Sequence, residues 1–234
     1  MTLLDAPGPG RPSGLRPVDR TTRREQILEV LRAAVSDGTL APGVHLAEVE
    51  LSEQLGVSRG TLREALRHLQ QDGLLVPDNR GRLSVRVVSA HEVADIFAVR
   101  AALEALAAEQ VCSRQDRSGA VAVLEDRLAA MAQPAADMGE RVTRDLAFHE
   151  ALCTLSGNDV LHASWRNVSG LARAAVTAAG PSAALANTAA ARHAPLVALV
   201  RDGDGEGAQR FLRQHMAEAA QNLLTQMGDG STPS

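Results

Sequence analysis

Four residues in the C-terminal half have the types and spacing of metal ligands. Asp145 and His149 stand four apart in "RDLAFHEAL", which on a helix places a carboxylate and an imidazole on one face. His193 in "ARHAPLVALV" and His215 in "FLRQHMAEA" fall on two later segments. Three imidazoles and one carboxylate converging from three helices make an N3O set suited to Zn²⁺, Ni²⁺ or another borderline divalent cation. Spacing alone leaves an alternative open, because an Asp-x-x-x-His pair is commonly a surface or capping contact and a histidine on an apolar helix can be a hydrogen-bonded core residue. A second set lies earlier, in "VSRGTLREALRHLQQDG", where Arg59, Arg63 and Arg67 follow one another at intervals of four. Arginine can bind guanine O6 and N7 through two parallel hydrogen bonds, giving about 1–3 kcal/mol of base discrimination. Ser58 and Thr61 carry short hydroxyls suited to phosphate oxygens beside a groove. Downstream, "NRGRLSVR" sets Arg80 and Arg82 around Gly81. There the glycine allows close backbone approach and the arginines can reach phosphate or the minor groove. The competing reading is a solvated arginine face paired with neighbours such as Glu64.

The elements that would position these residues divide the chain in two. "RREQILEVLRAAVSDGTLAPG" carries an apolar helical stripe at 27, 28, 31, 34 and 35, ended by Gly38 and Pro42-Gly43. "AEVELSEQLG" is a second short helix closed by Gly56, and Ser58 is the expected N-cap of a third helix running to about Asp72. Two short β-type runs then flank the turn Asp78-Asn79-Arg80-Gly81. Helix, helix, tight turn, helix and hairpin together describe a winged helix-turn-helix. Arg59 and Arg63 are then on the part of the second helix that enters the major groove, with Arg67 farther out over backbone or solvent. From Ser89, where "SAHE" reads as a capping box, the pattern is helical throughout: about 90–112, 116–132, 138–156, 159–179, 182–202 and 205–227. The chain is thus expected to be mainly α: a disordered arm over 1–20, a winged helix-turn-helix DNA-binding domain over 21–88, and an all-α antiparallel helical bundle, the effector and dimerisation domain, over 89–228.

Composition fits this division. Only 2% of residues are aromatic, so the core must be built from Ala, Leu and Val, which favours closely packed helices. All 24 basic residues are arginine. The 12 arginines of residues 1–88 face 11 acids, whereas the 12 of residues 89–234 face 17, so the acidity belongs to the second half. Between 59 and 86 six arginines face three acids, a local positive patch compatible with phosphate contact. Cys112 and Cys153 have no disulfide or metal spacing and are expected to be buried thiols. No apolar run approaches the ~20 residues that span a bilayer, and the N-terminus lacks a signal-peptide core. A cytoplasmic protein with no membrane contact is the expectation.

"LAEVELSEQLGVSRGTLREALRHLQQDGLL" resembles the signature of the GntR superfamily of bacterial transcription regulators over about residues 22–86. The resemblance implies that Arg59 and Arg63 face an operator and that Gly81 approaches the minor groove. Two departures bear on operator preference: Val49 stands where relatives often carry a basic residue, and Gly60 where Thr is common. The helical half resembles the FadR-type effector domain, FCD. In its metal-binding members, Asp145, His149, His193 and His215 match the ligand positions, Asn158 matches a common Asn, and Arg100 in "FAVRAALEALAA" matches an arginine beside a bound carboxylate. On spacing alone Arg100 and Glu104 are an ordinary i,i+4 ion pair. The resemblance therefore implies a homodimeric regulator that binds a short inverted repeat and is controlled by a small organic acid held at the metal. Two other readings remain: a metal-dependent enzyme recruited to DNA, and an effector-independent DNA-binding protein with a structural metal.

Overall fold

The structure is a computed structural model and describes residues 23–36 and 38–229. The proposed arm over 1–20 lies outside them. The described residues begin with α1 (Arg23–Ser36), α2 (Glu48–Gln54) and α3 (Arg59–Gln71), followed by the hairpin β1 (Leu75–Pro77) and β2 (Leu83–Val85). The strands pair antiparallel with Leu75 opposite Val85 and Pro77 opposite Leu83, and His45 bridges to Ser84 at the sheet edge. The expected apolar stripe does bury: Ile27, Leu28, Leu31 and Val35 pack with Leu62, Leu66 and Leu69 of α3 in one core. Ser58 caps α3 as its sequence position indicated, its hydroxyl accepting from the Thr61 amide at 3.1 Å.

Helices make up the rest: α4 (Ala90–Cys112), α5 (Ser118–Ala132), α6 (Met138–Leu155), α7 (Asp159–Ala179), α8 (Pro181–Asn187), α9 (Ala190–Asp202) and α10 (Gly205–Asp229). The chain is mainly α, with β1 and β2 the strands among the described residues. The single helix expected over 182–202 is two, broken at Thr188-Ala189. The Thr188 hydroxyl turns back onto the Ala184 carbonyl, and Asn187 donates to the Ala219 carbonyl of α10, so tertiary bonds bend the chain there. Helix α4 runs through the centre, packed on α10, α7 and α6. Cys112 and Cys153 are buried free thiols, as expected.

Two joints hold the halves together. At the first, the Ser89–Glu92 capping box forms in full, and Glu92 also receives Arg86 of the wing at 2.9 Å. That pair ties the outgoing strand to the first turn of α4. At the second, Gly170 of α7 lies directly against the backbone of Asp72, the C-cap of α3, where any side chain would collide with the Asp72 carbonyl.

Candidate metal centre and DNA-reading surface

Helices α6, α9 and α10 bring His149, His193 and His215 together, each almost fully buried, with their ligand atoms within 4.8 Å of one another. Asp145 joins through His193, its Oδ1 3.1 Å from Nε2. All four residues singled out by type and spacing therefore meet at one place. The far sides of two rings are already committed. His149 Nδ1 lies 2.7 Å from the Glu104 carboxylate, and His193 Nδ1 lies 3.0 Å from the Ala189 carbonyl. Both partners only accept, so each Nδ1 carries a proton, and whenever either ring is neutral its Nε2 presents a lone pair. Those two Nε2 atoms stand 3.1 Å apart, with the Asp145 oxygen at the same distance from one of them. A proton placed there would relieve one such contact, whereas a divalent cation would relieve all of them. Ligand atoms about 2.1 Å from one ion stand roughly 3.0–3.4 Å apart around it, which is the spacing of His149, His193 and Asp145, and His215 lies within 4.8 Å of the other two imidazoles, so the donor types and their convergence fit a metal.

Charge and protonation favour ligation. Burial, with the neighbouring His149 and His193 charges, pulls His215 down to about 2, so its ring is neutral at ordinary pH. Burial pushes the Glu104 carboxyl up, but the His149 and Arg100 charges and hydrogen bonds from His149 and Trp165 outweigh it and hold the group down to about 2. Asp145 is held well below the usual carboxylate range in the same way: burial is outweighed by the hydrogen bond from His193 and the charges of His149, His193 and Arg100.

Glu104 is the site residue that spacing did not reveal. Arg100 and Glu104 are a helical i,i+4 pair, as read, but a fully buried one, not a surface pair of little weight. Glu104 Oε1 accepts from Arg100 Nε at 3.1 Å and from Trp165 Nε1 at 2.8 Å, while Oε2 orients His149. Arg100 Nη2 lies 3.0 Å from Oε1 but too poorly aligned to bond, which leaves a buried donor without an acceptor. Arg100, Asp145, His149 and His215 line one small cavity with Asn187 and Thr188, and its open space is about 10 Å³. Asn158 is not brought to it: its side-chain oxygen caps α7 by accepting from the Leu161 amide at 3.0 Å.

On the N-terminal half, Ser58, Arg59, Arg63 and Arg67 are exposed on α3, and Thr61 is half-buried. The Ser58 and Thr61 hydroxyls bond each other at 2.8 Å. Arg63 Nε is held by Glu48 of α2 at 2.6 Å, a contact that the intervening sequence gave no reason to expect. At the wing tip Asp78 accepts from the Arg80 and Arg82 amides and from Arg82 Nε at 2.7 Å, which leaves the Arg80 side chain outward. Gly81 takes φ +77°, with open space where a side chain would point. Val49 is exposed on α2.

Residues 23–85 match the family model "Bacterial regulatory proteins, gntR family", and residues 95–218 match the FCD domain model. The Nta operon transcriptional regulator of Aminobacter aminovorans is 31% identical over 78% of this chain and 86% of its own. The HTH-type transcriptional regulator YdhC of Bacillus subtilis (strain 168) is 33% identical over 57% of this chain and 60% of its own. A structural-genomics crystal structure of a GntR transcriptional regulator from Rhodococcus sp. RHA1 superposes with a TM-score of 0.64 at 26% identity, covering 90% of this chain and 99% of that one. A winged helix-turn-helix joined to an all-helical domain defines a class, the DNA-binding transcription regulators. Within it, this chain belongs to the GntR family and carries an FCD domain. It is a DNA-binding transcription regulator and not an enzyme. No helix among the described residues is long and apolar enough to cross a membrane.

Proposed function

We propose that the chain is a cytoplasmic homodimeric repressor whose operator affinity is set by a small carboxylate bound at the histidine pocket. The supporting observation is the pairing of a buried ligand cluster, His149, His193, His215 and Asp145, with a buried arginine nitrogen, Arg100 Nη2, that makes no hydrogen bond. The cluster would hold Zn²⁺ or Ni²⁺, which supplies fixed positive charge and open coordination for an anion. Arg100 would take the carboxylate's other oxygen. Two readers related by the dimer axis would meet an inverted repeat. In each, Arg59 and Arg63 face base edges, Ser58 and Thr61 face phosphate, and Arg80, Gly81 and Arg82 lie over the minor groove.

One observation favours the rival reading, a structural metal without an effector. The 10 Å³ of open space admits about one water and no organic acid. In the favoured reading that tightness is the mechanism, since an acid enters only as the pocket widens and α4 shifts. The shift passes through Arg86–Glu92 to the wing, and the ligand moves the equilibrium because it binds the widened state better. A thermal-shift screen with two- to four-carbon mono- and dicarboxylates, with and without chelator, separates the two. Stabilisation by an acid that disappears with chelator supports the effector role; destabilisation by chelator with no response to any acid supports the structural one.

A further inference from the structure

A second cavity lies at the junction of the two halves, between α1 and α3 on one side and α6 and α7 on the other. Its volume is about 690 Å³, within the range of small-molecule sites, and it shares no lining residue with the histidine pocket. Three guanidinia line it, Arg32 from the DNA-reading half and Arg166 and Arg173 from the other, of which Arg166 is exposed and Arg173 buried. Arg32 of α1 gives Nη1 to Glu29 and Nη2 to Asp72, each at 2.7 Å, and its Nε is buried without an acceptor. Arg173 of α7 is only 9% exposed and, among the described residues, makes one hydrogen bond, from Nη1 to Thr143 Oγ1 at 3.0 Å. The Thr143 proton is already given to the Gly139 carbonyl, so this is one neutral acceptor for a cation with five N–H groups.

Burial of such a charge without an anionic partner is expensive. Burial, and then the nearby Arg32 charge, pull the Arg173 guanidinium down to about 10 despite the more distant acids. The acids that line the cavity are spoken for, Asp72 by Arg32 and Glu150 by His162 at 3.0 Å. What remains is a roomy, partly enclosed space with the Arg173 guanidinium, bonded only to a neutral hydroxyl, on one wall and the Asp72-paired Arg32 on the other.

We propose that this interdomain cavity binds a small oxyanion, a phosphate or carboxylate group, which bridges Arg173 of the effector half and Arg32 of the DNA-reading half. Planar guanidinium forks match the oxygens of either group. The bridge bears directly on the recognition helix, because Arg32 holds Asp72, the residue that ends α3. An anion here would fix the reader's orientation by a route independent of the metal pocket.

Trp165, the only tryptophan of the chain, lines the cavity and reports on its contents. Full-length protein stripped with EDTA is titrated with inorganic phosphate and, separately, with succinate, followed by calorimetry and by Trp165 fluorescence. Saturable binding is expected in at least one arm, and which arm responds identifies the source of the oxyanion. Arg173→Gln should weaken that binding about tenfold or more, the loss of a charge-assisted pair worth ~1.4 kcal/mol. Arg173→Lys, which keeps the charge but not the fork, should fall between the two and serves if the Gln variant does not fold. Absence of binding in both arms at millimolar anion, or wild-type affinity in the folded Arg173 variants, overturns the proposal. With the metal removed, the calorimetric loss on substituting Arg173, which does not line the histidine pocket, assigns the binding to this cavity.

Discussion

A carboxylate with no exposed surface persists only if its oxygens are bonded, and Glu104 is bonded by Arg100, Trp165 and His149 together. Its effect on the proposed metal site would pass through His149, whose ring it orients. In Glu104→Gln the amide must offer N–H either to His149 Nδ1 or to the Arg100 and Trp165 donors, and each placement sets donor against donor. Metal affinity should drop by about 10–100-fold, the usual cost of losing such a partner, while far-UV circular dichroism is retained. Chelator competition measures it, and unchanged affinity would remove Glu104 from the site. The sequence displayed the Arg100–Glu104 spacing but not its burial, which depends on four helices closing over it. On the DNA face magnitudes decide Arg63. Its exposed ion pair with Glu48 is worth about 0–1 kcal/mol, whereas a bidentate guanine contact gives about 1–3 kcal/mol, so operator DNA should draw it away. Arg59→Ala and Arg63→Ala are each expected to weaken operator binding roughly 5- to 150-fold, with non-specific binding much less affected. Equal losses on operator and random DNA, measured by fluorescence anisotropy at fixed salt, would refute base reading.

At the scale of elements, local signals were legible where one residue's chemistry dictates the backbone. Ser58 and Ser89 cap α3 and α4, and Gly56 and Gly203 end helices with φ of +61° and +74°. The break between α8 and α9 was not legible, because neither Thr188 nor Ala189 demands a special conformation. It is imposed by the bond from Asn187 to α10, and it lets the Ala189 carbonyl fix the His193 ring. The contact of α7 with the end of α3 was equally hidden: Gly170 sits in a helix at ordinary φ, and its lack of a side chain matters only because the Asp72 carbonyl presses on it. Gly170→Ala should therefore push the two halves apart although alanine is the better helix former by about 1 kcal/mol. The expected result is a lower melting temperature for the reader with the effector half unchanged, seen as two transitions in place of one. A single transition at or above the wild-type temperature would show that the joint has room to yield.

For the whole molecule, the uneven charge follows from the division of labour. The acidic excess lies in residues 89–234, and the half that meets DNA is near neutral overall, with six of its twelve arginines between 59 and 86, on α3 and the wing. A single such reader makes few phosphate contacts, and the proposed dimer would add a second on the same duplex. Both joints, Arg86–Glu92 and Gly170 against Asp72, restrain each reader against its effector half, and that restraint would set the distance between the two recognition helices. Half-sites should accordingly be read at one fixed separation, near one helical turn of about 10 base pairs or a multiple of it. Inserting about five base pairs between the half-sites turns one reader to the opposite side of the duplex, and affinity should collapse to that of a single half-site. Inserting a full turn should also weaken binding, because the joints leave the readers little freedom to separate. Electrophoretic mobility shifts on the three operators decide it. Equal binding to all three would mean that the readers swing independently, and then neither the histidine pocket nor the interdomain cavity could control the operator through reader spacing.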